Sequence, residues 1–139
     1  MGNSRFKIYT DGGSRGNPGK AAYGFVVYAG SEKIFEEGKQ IGTTTNNVAE
    51  YSGVVAALEW FISQQIVFEK IDFFMDSQLV ANQLNGKFKL KNPGLRPLFL
   101  KAKECEKKLG NVTYTAVPRE QNKEADRMVN LALDDLLDF

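Results

Sequence analysis

Residues 71–80, with the sequence IDFFMDSQLV, constrain the fold of this chain more than any other stretch. Mostly apolar residues run directly into Asp76 and Ser77, and the residues that follow have helical spacing. This order predicts a buried strand that ends at the N-terminus of a helix. Ligands of helix-flanked sheets bind in the crevice beyond the strand ends, so Asp76 is a candidate functional group. Alternatively, Asp76 or Ser77 caps the helix by accepting a hydrogen bond from a backbone N–H.

The residues before this segment predict three strands and one long helix. Alternating polar and apolar residues predict strands over 5–11, 21–28 and 33–41, and the first of them stops at Asp11. The glycine-rich residues 12–19 predict a loop whose backbone can approach a ligand closely. Apolar residues at helical spacing predict a helix over 47–64. Glu50 lies in its first turn, where a capping box with Asn47 is the structural alternative to a functional role.

The residues after Asp76 complete a pattern of alternating strands and helices. The spacing predicts helices over 77–84 and 96–109, a strand over 111–117, and a last helix that is capped by Asn122 and extends to Leu136. Asp126 lies about one turn inside that helix, where a lone acid would usually be a surface residue. The order predicts a single α/β domain over 1–139, with a mixed five-stranded sheet of three antiparallel and then two parallel strands, flanked by helices. If the strands of Asp11 and Asp76 are neighbours, these acids lie side by side.

Composition excludes several classes of mechanism. The chain has no histidine, which excludes Ser-His-Asp and Cys-His hydrolysis and His-ligated metal sites. Its only cysteine, Cys105, cannot form an internal disulfide. No apolar run approaches the roughly 20 residues of a membrane span, and the N-terminus lacks the apolar core of a signal peptide. We therefore expect a cytoplasmic protein with no membrane association.

Four acids stand at comparable junctions of the predicted elements: Asp11, Glu50, Asp76 and Asp126. Two unit charges about 4 Å apart repel by roughly 4 kcal/mol at an effective dielectric near 20, so a crevice that holds all four needs counter-charge. Oxygen ligands of this kind are preferred by Mg²⁺ and Mn²⁺. Two such ions could activate a water on one side of a phosphodiester and stabilise the leaving 3′ oxygen on the other.

The surroundings of these acids resemble the four carboxylate motifs of type 1 ribonucleases H, in order and spacing and over nearly the whole chain. The matching segments are Tyr9-Thr10-Asp11-Gly12-Gly13 with Gly16-Asn17-Pro18-Gly19, Thr45-Asn46-Asn47 with Ala49-Glu50, Asp76-Ser77-Gln78, and Asn122-Lys123-Glu124-Ala125-Asp126. Each motif alone is a weak signal, and their combination is specific.

This resemblance implies an endoribonuclease that cleaves the RNA strand of RNA/DNA hybrids, leaves 5′-phosphate and 3′-hydroxyl ends, and uses two Mg²⁺ or Mn²⁺ ions held by the four acids. Glu50 would also contact a ribose 2′-hydroxyl. Asn17, Asn47 and Gln78 are expected to contact the minor groove. Gly12 and Gly13 are expected to bind substrate, since glycines let the backbone approach closely. Thr45 and Asn46 are expected to hold a phosphate of the DNA strand.

Two departures from the family pattern change these expectations. Bacterial members commonly have a histidine before the last helix, where this chain has Arg119, as in an archaeal-like subgroup. Arg119 is expected to contact the scissile phosphate or assist product departure, but a guanidinium cannot shuttle protons at neutral pH. A basic protrusion is also missing, and only the lysines of residues 87–91 stand in its place. We therefore expect weaker hybrid binding than in a protrusion-bearing enzyme. Because the first predicted strand begins at about Arg5, we expect no separate N-terminal hybrid-binding domain, and we also expect a monomer.

Two other functions are compatible with this pattern. One is a non-catalytic, reverse transcriptase-like module that binds hybrids, for which the loss of one acid would be the simplest sign; all four are present. The other is a related nuclease such as a junction resolvase or a proofreading exonuclease. Those enzymes share the acids, but the residues around their acids differ from the segments seen here.

Overall fold

A computed structural model describes residues 5–137, which form one five-stranded mixed sheet with helices on both faces. The first three strands, β1 (Arg5–Arg15), β2 (Gly19–Ala29) and β3 (Glu32–Thr44), form an antiparallel meander. They are longer than predicted, because Gly12 and Gly13 continue the β1–β2 ladder opposite Tyr23 and Ala22. The predicted loop over 12–19 is therefore reduced to a tight turn at residues 16–18.

The long helix α1 (Asn46–Gln64) follows β3 and covers one face of the sheet. Its buried side chains, among them Tyr51, Leu58 and Phe61, pack with the apolar residues that alternate along the strands. The predicted capping box of Asn47 and Glu50 is wrong. Thr45 is the cap, and its Oγ1 accepts a hydrogen bond from Val48 N at 3.3 Å. Glu50 is thereby free of a capping role.

The parallel half of the sheet is formed by β4 (Lys70–Met75) and β5 (Val112–Ala116), connected by α2 (Gln78–Leu84) and α3 (Arg96–Leu109). The strand order is β3-β2-β1-β4-β5, so β1 is central and parallel to β4. Ser77, not Asp76, caps α2, since its Oγ accepts from Val80 N at 3.2 Å. This leaves Asp76 at the end of β4 without a capping role.

The last helix, α4 (Lys123–Leu133), packs on the opposite face of the sheet after a short 3-10 turn. It lies so close to β2 that a Cβ at Gly24 would stand 2.7 Å from Ala125 O. Leu136 was predicted to continue this helix, but it lies beyond the helix end and is 68% exposed. Within residues 5–137, no helix has the length and apolar character needed to cross a membrane.

Candidate active site

Asp11 and Asp76 lie side by side because their strands are parallel neighbours. Tyr9 of β1 pairs with Phe74 of β4, so each acid stands two residues beyond this pair, at the same edge of the sheet. Asp11 is only 7% exposed, and one of its carboxylate oxygens accepts a hydrogen bond from Gly12 N at 2.9 Å. The two strands are therefore neighbours, which is the condition under which the sequence placed these acids side by side.

Glu50 reaches the same place from the first turns of α1. The helix can approach because Gly12 has no side chain: a Cβ there would stand 2.3 Å from the backbone carbon of Ala49. Glu50 is 8% exposed, and ligand oxygens of Asp11, Glu50 and Asp76 lie within 4.8 Å of one another. Three carboxylates from three elements thus form one cluster, which we call the acid triad.

Burial and mutual repulsion raise the pKa values of the triad. Burial, with the charge of Asp76 as the next contribution, raises the pKa of Asp11 to about 7. Burial and the charge of Asp11 raise the pKa of Glu50 well above its ordinary value. Burial also raises the pKa of Asp76, although the neighbouring Arg119 opposes this shift. Simultaneous ionisation of the three groups is therefore disfavoured, and added positive charge would favour it.

Asp126 lies beside the triad but outside its closest group. It belongs to the first turn of α4 and lines a cleft of about 300 Å³ together with Asp11, Glu50 and Asp76. Its charge contributes to the raised pKa values of Asp11 and Asp76. The structure therefore brings all four predicted acids to one cleft and places three of them in direct proximity.

Arg119 also lines this cleft, from the 3-10 turn (Arg119–Gln121) that precedes α4. Its Nε lies 3.8 Å from Oδ2 of Asp76, and its side chain is 84% exposed. An exposed ion pair of this length contributes little to stability. The guanidinium is therefore available to a ligand that enters the cleft.

The turn after β1 is tied to the start of α1 by a hydrogen-bonded bridge. Asn46 N donates to Oδ1 of Asn17 at 3.0 Å, and Ser14 donates to Oδ1 of Asn46 through both its N, at 2.9 Å, and its Oγ, at 3.0 Å. Both contacts from Ser14 use Oδ1 of Asn46, and its Nδ2 group takes no part in the bridge. Ser14 was not among the predicted site residues, because a serine in a glycine-rich segment gives no distinctive sign of a functional role.

The other predicted substrate-binding residues occupy the same side of the molecule in different ways. The space beside Gly13 is open, since the nearest atom to a Cβ there would be Oδ1 of Asn46 at 3.9 Å. The space beside Gly12 is filled by the backbone of α1. Gln78 is exposed at the start of α2, and Asn47 lines a neighbouring cleft with the lysines of residues 87–91. Thr45 caps α1 and is half-buried. Their contacts with a substrate stay predictions.

The chain is similar to a described protein family and to named ribonucleases H. A family model described as reverse transcriptase-like matches residues 9–132. The chain is 43% identical over 129 residues to the bifunctional protein Rv2228c of Mycobacterium tuberculosis; the match covers 91% of this chain and 35% of that protein. It is also 43% identical over 132 residues to a ribonuclease HI of Halobacterium salinarum, covering 94% and 65%. The chain therefore spans about a third to two thirds of the length of these relatives.

Solved structures give the same relationship. LC11-RNase H1, solved in complex with an RNA/DNA hybrid, superposes with a TM-score of 0.90 at 38% identity, covering 96% of this chain and 99% of that one. RNase H1 of Halobacterium salinarum superposes with a TM-score of 0.88 at 42% identity, covering 94% and 98%. Both matches extend over almost the entire chain on each side.

Proposed function

Because this chain belongs to the type 1 ribonuclease H family, we propose that it is an endoribonuclease that hydrolyses the RNA strand of RNA/DNA hybrids. The observation that carries this proposal is the acid triad at the edge of the central strands β1 and β4. The products would have 5′-phosphate and 3′-hydroxyl ends. The hybrid as substrate is supported by the complex of the related LC11 enzyme.

The residues of the site fit divalent metal ions. The donors are hard carboxylate oxygens, which suit Mg²⁺ or Mn²⁺. Burial and then the charges of neighbouring acids raise the pKa values of Asp11 and Glu50, and a bound cation would favour their ionised forms. We propose that Asp11, Glu50, Asp76 and Asp126 hold two such ions when substrate is bound. Bound there, the ions would supply an activated water and stabilisation of the leaving 3′ oxygen.

Polar residues around the cleft would orient the hybrid. Asn17, Asn47 and Gln78 would contact the 2′-hydroxyls and base edges of the minor groove, and Thr45 with Asn46 would hold a phosphate of the DNA strand. The bridge of Ser14, Asn17 and Asn46 would fix two of these side chains at the start of α1. Glu50 would contact the ribose 2′-hydroxyl near the scissile bond, which gives a physical reason for cleavage of the RNA strand alone. Such contacts read the shape of the hybrid and not its sequence.

Arg119 would act as a fixed positive charge. Its exposed guanidinium beside Asp76 can meet the scissile phosphate or a departing phosphate product. It cannot transfer a proton at neutral pH, because guanidinium stays charged. Arg119 therefore replaces the charge of the histidine found in other family members, without its proton chemistry.

Cleavage assays on four substrates test this proposal. A labelled RNA/DNA hybrid, duplex DNA, duplex RNA and a four-way junction would be incubated with Mg²⁺ and, in parallel, with Mn²⁺. We expect cleavage of the RNA strand of the hybrid and 3′-hydroxyl ends. Binding of the hybrid without cleavage would favour the non-catalytic module, and preferential cleavage of the junction would favour a resolvase.

We further propose that the protein acts as a monomer in the cytoplasm. Light scattering during size-exclusion chromatography of the purified chain would measure its mass. A dimer at micromolar concentration would contradict the first part, and recovery of the native protein outside the cytoplasmic fraction would contradict the second.

A further inference from the structure

We infer that Asn122 is a positioning residue that fixes Asp126 at the acid site by joining the first turn of α4 to the end of β1. The inference rests on the proposed nuclease function and adds a residue that would act through Asp126 without touching the substrate. Asn122 stands at the N-cap position of α4, but its side chain forms no capping hydrogen bond. Its amide is used for another contact.

That contact reaches the strand that carries Asp11. Nδ2 of Asn122 donates to the backbone oxygen of Thr10 at 2.9 Å, and Thr10 immediately precedes Asp11. The backbone oxygen of Asn122 accepts from Asp126 N at 3.2 Å. One buried residue, only 1% exposed, therefore connects the backbone of two acids that are 115 positions apart in the chain.

The first turn of α4 also packs on β2 through the backbone of Ala125 beside Gly24, but the other polar contacts of the helix lie elsewhere or are exposed. Lys20 and Gln40 donate to the carbonyls of Leu133 and Ala132, at the C-terminal end of the helix. Near its N-terminal end, Glu124 and Arg127 form exposed ion pairs with β3, which are weak and adjustable. Among residues 5–137, the bond from Asn122 is thus the buried side-chain hydrogen bond that joins the turn of Asp126 to β1.

The chemistry of the Asn122 amide also indicates a specific role. Its Oδ1 forms no hydrogen bond with any described residue, and neither does the buried Oγ1 of Thr10. A buried amide whose oxygen has no hydrogen-bond partner is costly, and an apolar residue would avoid that cost. Positioning matters for Asp126 because its carboxylate lies outside the closest group of three acids, so its distance from them depends on where α4 begins.

Asn122→Ala tests the inference against a matched control. Asn85→Ala removes the same type of bond, from Nδ2 to the backbone oxygen of Tyr114 at 2.9 Å, between the end of α2 and β5. For Asn122→Ala we expect kcat on the hybrid to fall about 10- to 100-fold, because small misplacements of catalytic groups cost that much, with KM changed less than about threefold. Mn²⁺ titration by calorimetry, without substrate, should show weaker binding. For Asn85→Ala, kcat and the Mn²⁺ affinity should stay within about twofold of the wild-type values.

A double variant separates positioning through Asp126 from a general effect. If Asn122 acts through Asp126, adding Asn122→Ala to Asp126→Asn should reduce kcat less than about twofold further, because groups that act as a unit are not additive. If kcat of the double variant falls by the product of the two single-variant factors, the inference is overturned. A lower melting temperature for Asn122→Ala and Asn122→Ser with unchanged kcat would also overturn it and assign Asn122 a structural role. Failure of the wild type to cleave hybrids would instead reject the proposed function.

Discussion

The acid triad and the pair formed by Asp126 and Arg119 line the same cleft but are built differently. The triad residues Asp11, Glu50 and Asp76 come from β1, α1 and the end of β4, which share the main hydrophobic core. Asp126 and Arg119 come from α4 and the turn before it, which pack on the other face around a small apolar cluster. The acid triad is therefore part of the main core. Asp126 and Arg119 lie on elements packed against the other face of the sheet, and we call these two residues the attached half of the site.

This difference shows that the two parts of the site are held in place by different elements. The triad acids are carried by elements of the main core, where burial and then the charges of neighbouring acids raise the pKa values of Asp11 and Glu50. The positions of Asp126 and Arg119 depend instead on where α4 begins, which the hydrogen bond from Asn122 to Thr10 helps to set. We therefore expect substitutions in the triad to change activity and stability most strongly, and substitutions in the attached half to change activity with little effect on stability.

The largest effect is expected when a triad acid loses its charge. Asp11→Asn or Asp76→Asn should lower kcat by about 10³-fold or more, because such a site supplies several kcal/mol of transition-state stabilisation. The fold should be retained. Asp72→Asn is the matched control, since Asp72 lies on β4 at a distance from the cleft and pairs with Thr113 and Lys70. Hybrid cleavage with Mg²⁺ and circular dichroism measure both outcomes, and near wild-type cleavage by either triad variant would contradict the assignment.

A smaller loss is expected from the attached half of the site. Arg119→Ala should lower kcat about 10- to 100-fold, because a charge placed at a reacting phosphate is lost, while the free energy of unfolding changes by less than about 0.5 kcal/mol. Arg119→Lys should retain part of the activity, since it keeps the charge but not the planar donor geometry. Steady-state kinetics and urea unfolding provide the comparison. Unchanged kcat for Arg119→Ala would remove Arg119 from the site.

The next expected effect is on the stability of the metal-free protein. Because folding raises the pKa of Asp11 from 3.8 to about 7, the folded state binds a proton more tightly than the unfolded state. This contribution favours the fold below pH 4 and is lost as the pH rises through 7, at a cost of at most about 4 kcal/mol. Asp11→Asn should therefore stabilise the protein at pH 8 and have little effect at pH 4.

Urea unfolding in EDTA at pH 4, 5.5 and 8 measures this dependence. Added Mg²⁺ should stabilise the wild type at pH 8 and thereby reduce the advantage of Asp11→Asn, since bound ligand stabilises the folded state by mass action. A stability difference between the two proteins that does not vary with pH would show that repulsion within the triad is not its cause.

The smallest expected effect is on hybrid binding by the basic segment that follows α2. The lysines of residues 87–91 are exposed beside a cleft of about 590 Å³ that Asn47 also lines. Replacing all three with alanine should weaken hybrid binding and reduce the salt dependence of log K by about 0.9 per lost phosphate contact on a duplex. The matched control replaces three exposed lysines of α3: Lys101, Lys107 and Lys108.

Titration of hybrid binding at two salt concentrations measures this effect. An unchanged salt slope for the segment 87–91 variant would show that these lysines do not contact phosphates. We also expect the wild type to bind hybrids more weakly than a family member that has the basic protrusion, because fewer phosphate-directed charges are present. Equal affinity at matched salt would contradict that expectation.

Several local features were predictable because they depend on neighbouring residues alone. The α3 helix has the predicted bounds, since its apolar stripe and Pro97 define it locally. The positions of Asp11 and Asp76 followed from apolar runs that end at acids. The roles of Asn47 and Asn122 as caps were wrong or incomplete, because Thr45 was the better placed cap for α1 and Thr10 offered the amide of Asn122 a buried acceptor.

The sequence by itself determined the order of strands and helices, the residue types available for chemistry, and the motifs that carry the family resemblance. These depend on periodicity, on composition and on spacing along the chain. Only the tertiary structure decided that Gly12 admits α1 to the end of β1, that three acids form the closest group, and that Asn122 joins α4 to β1. Such contacts arise between residues far apart in sequence, where packing of the whole core sets distances that no local pattern encodes.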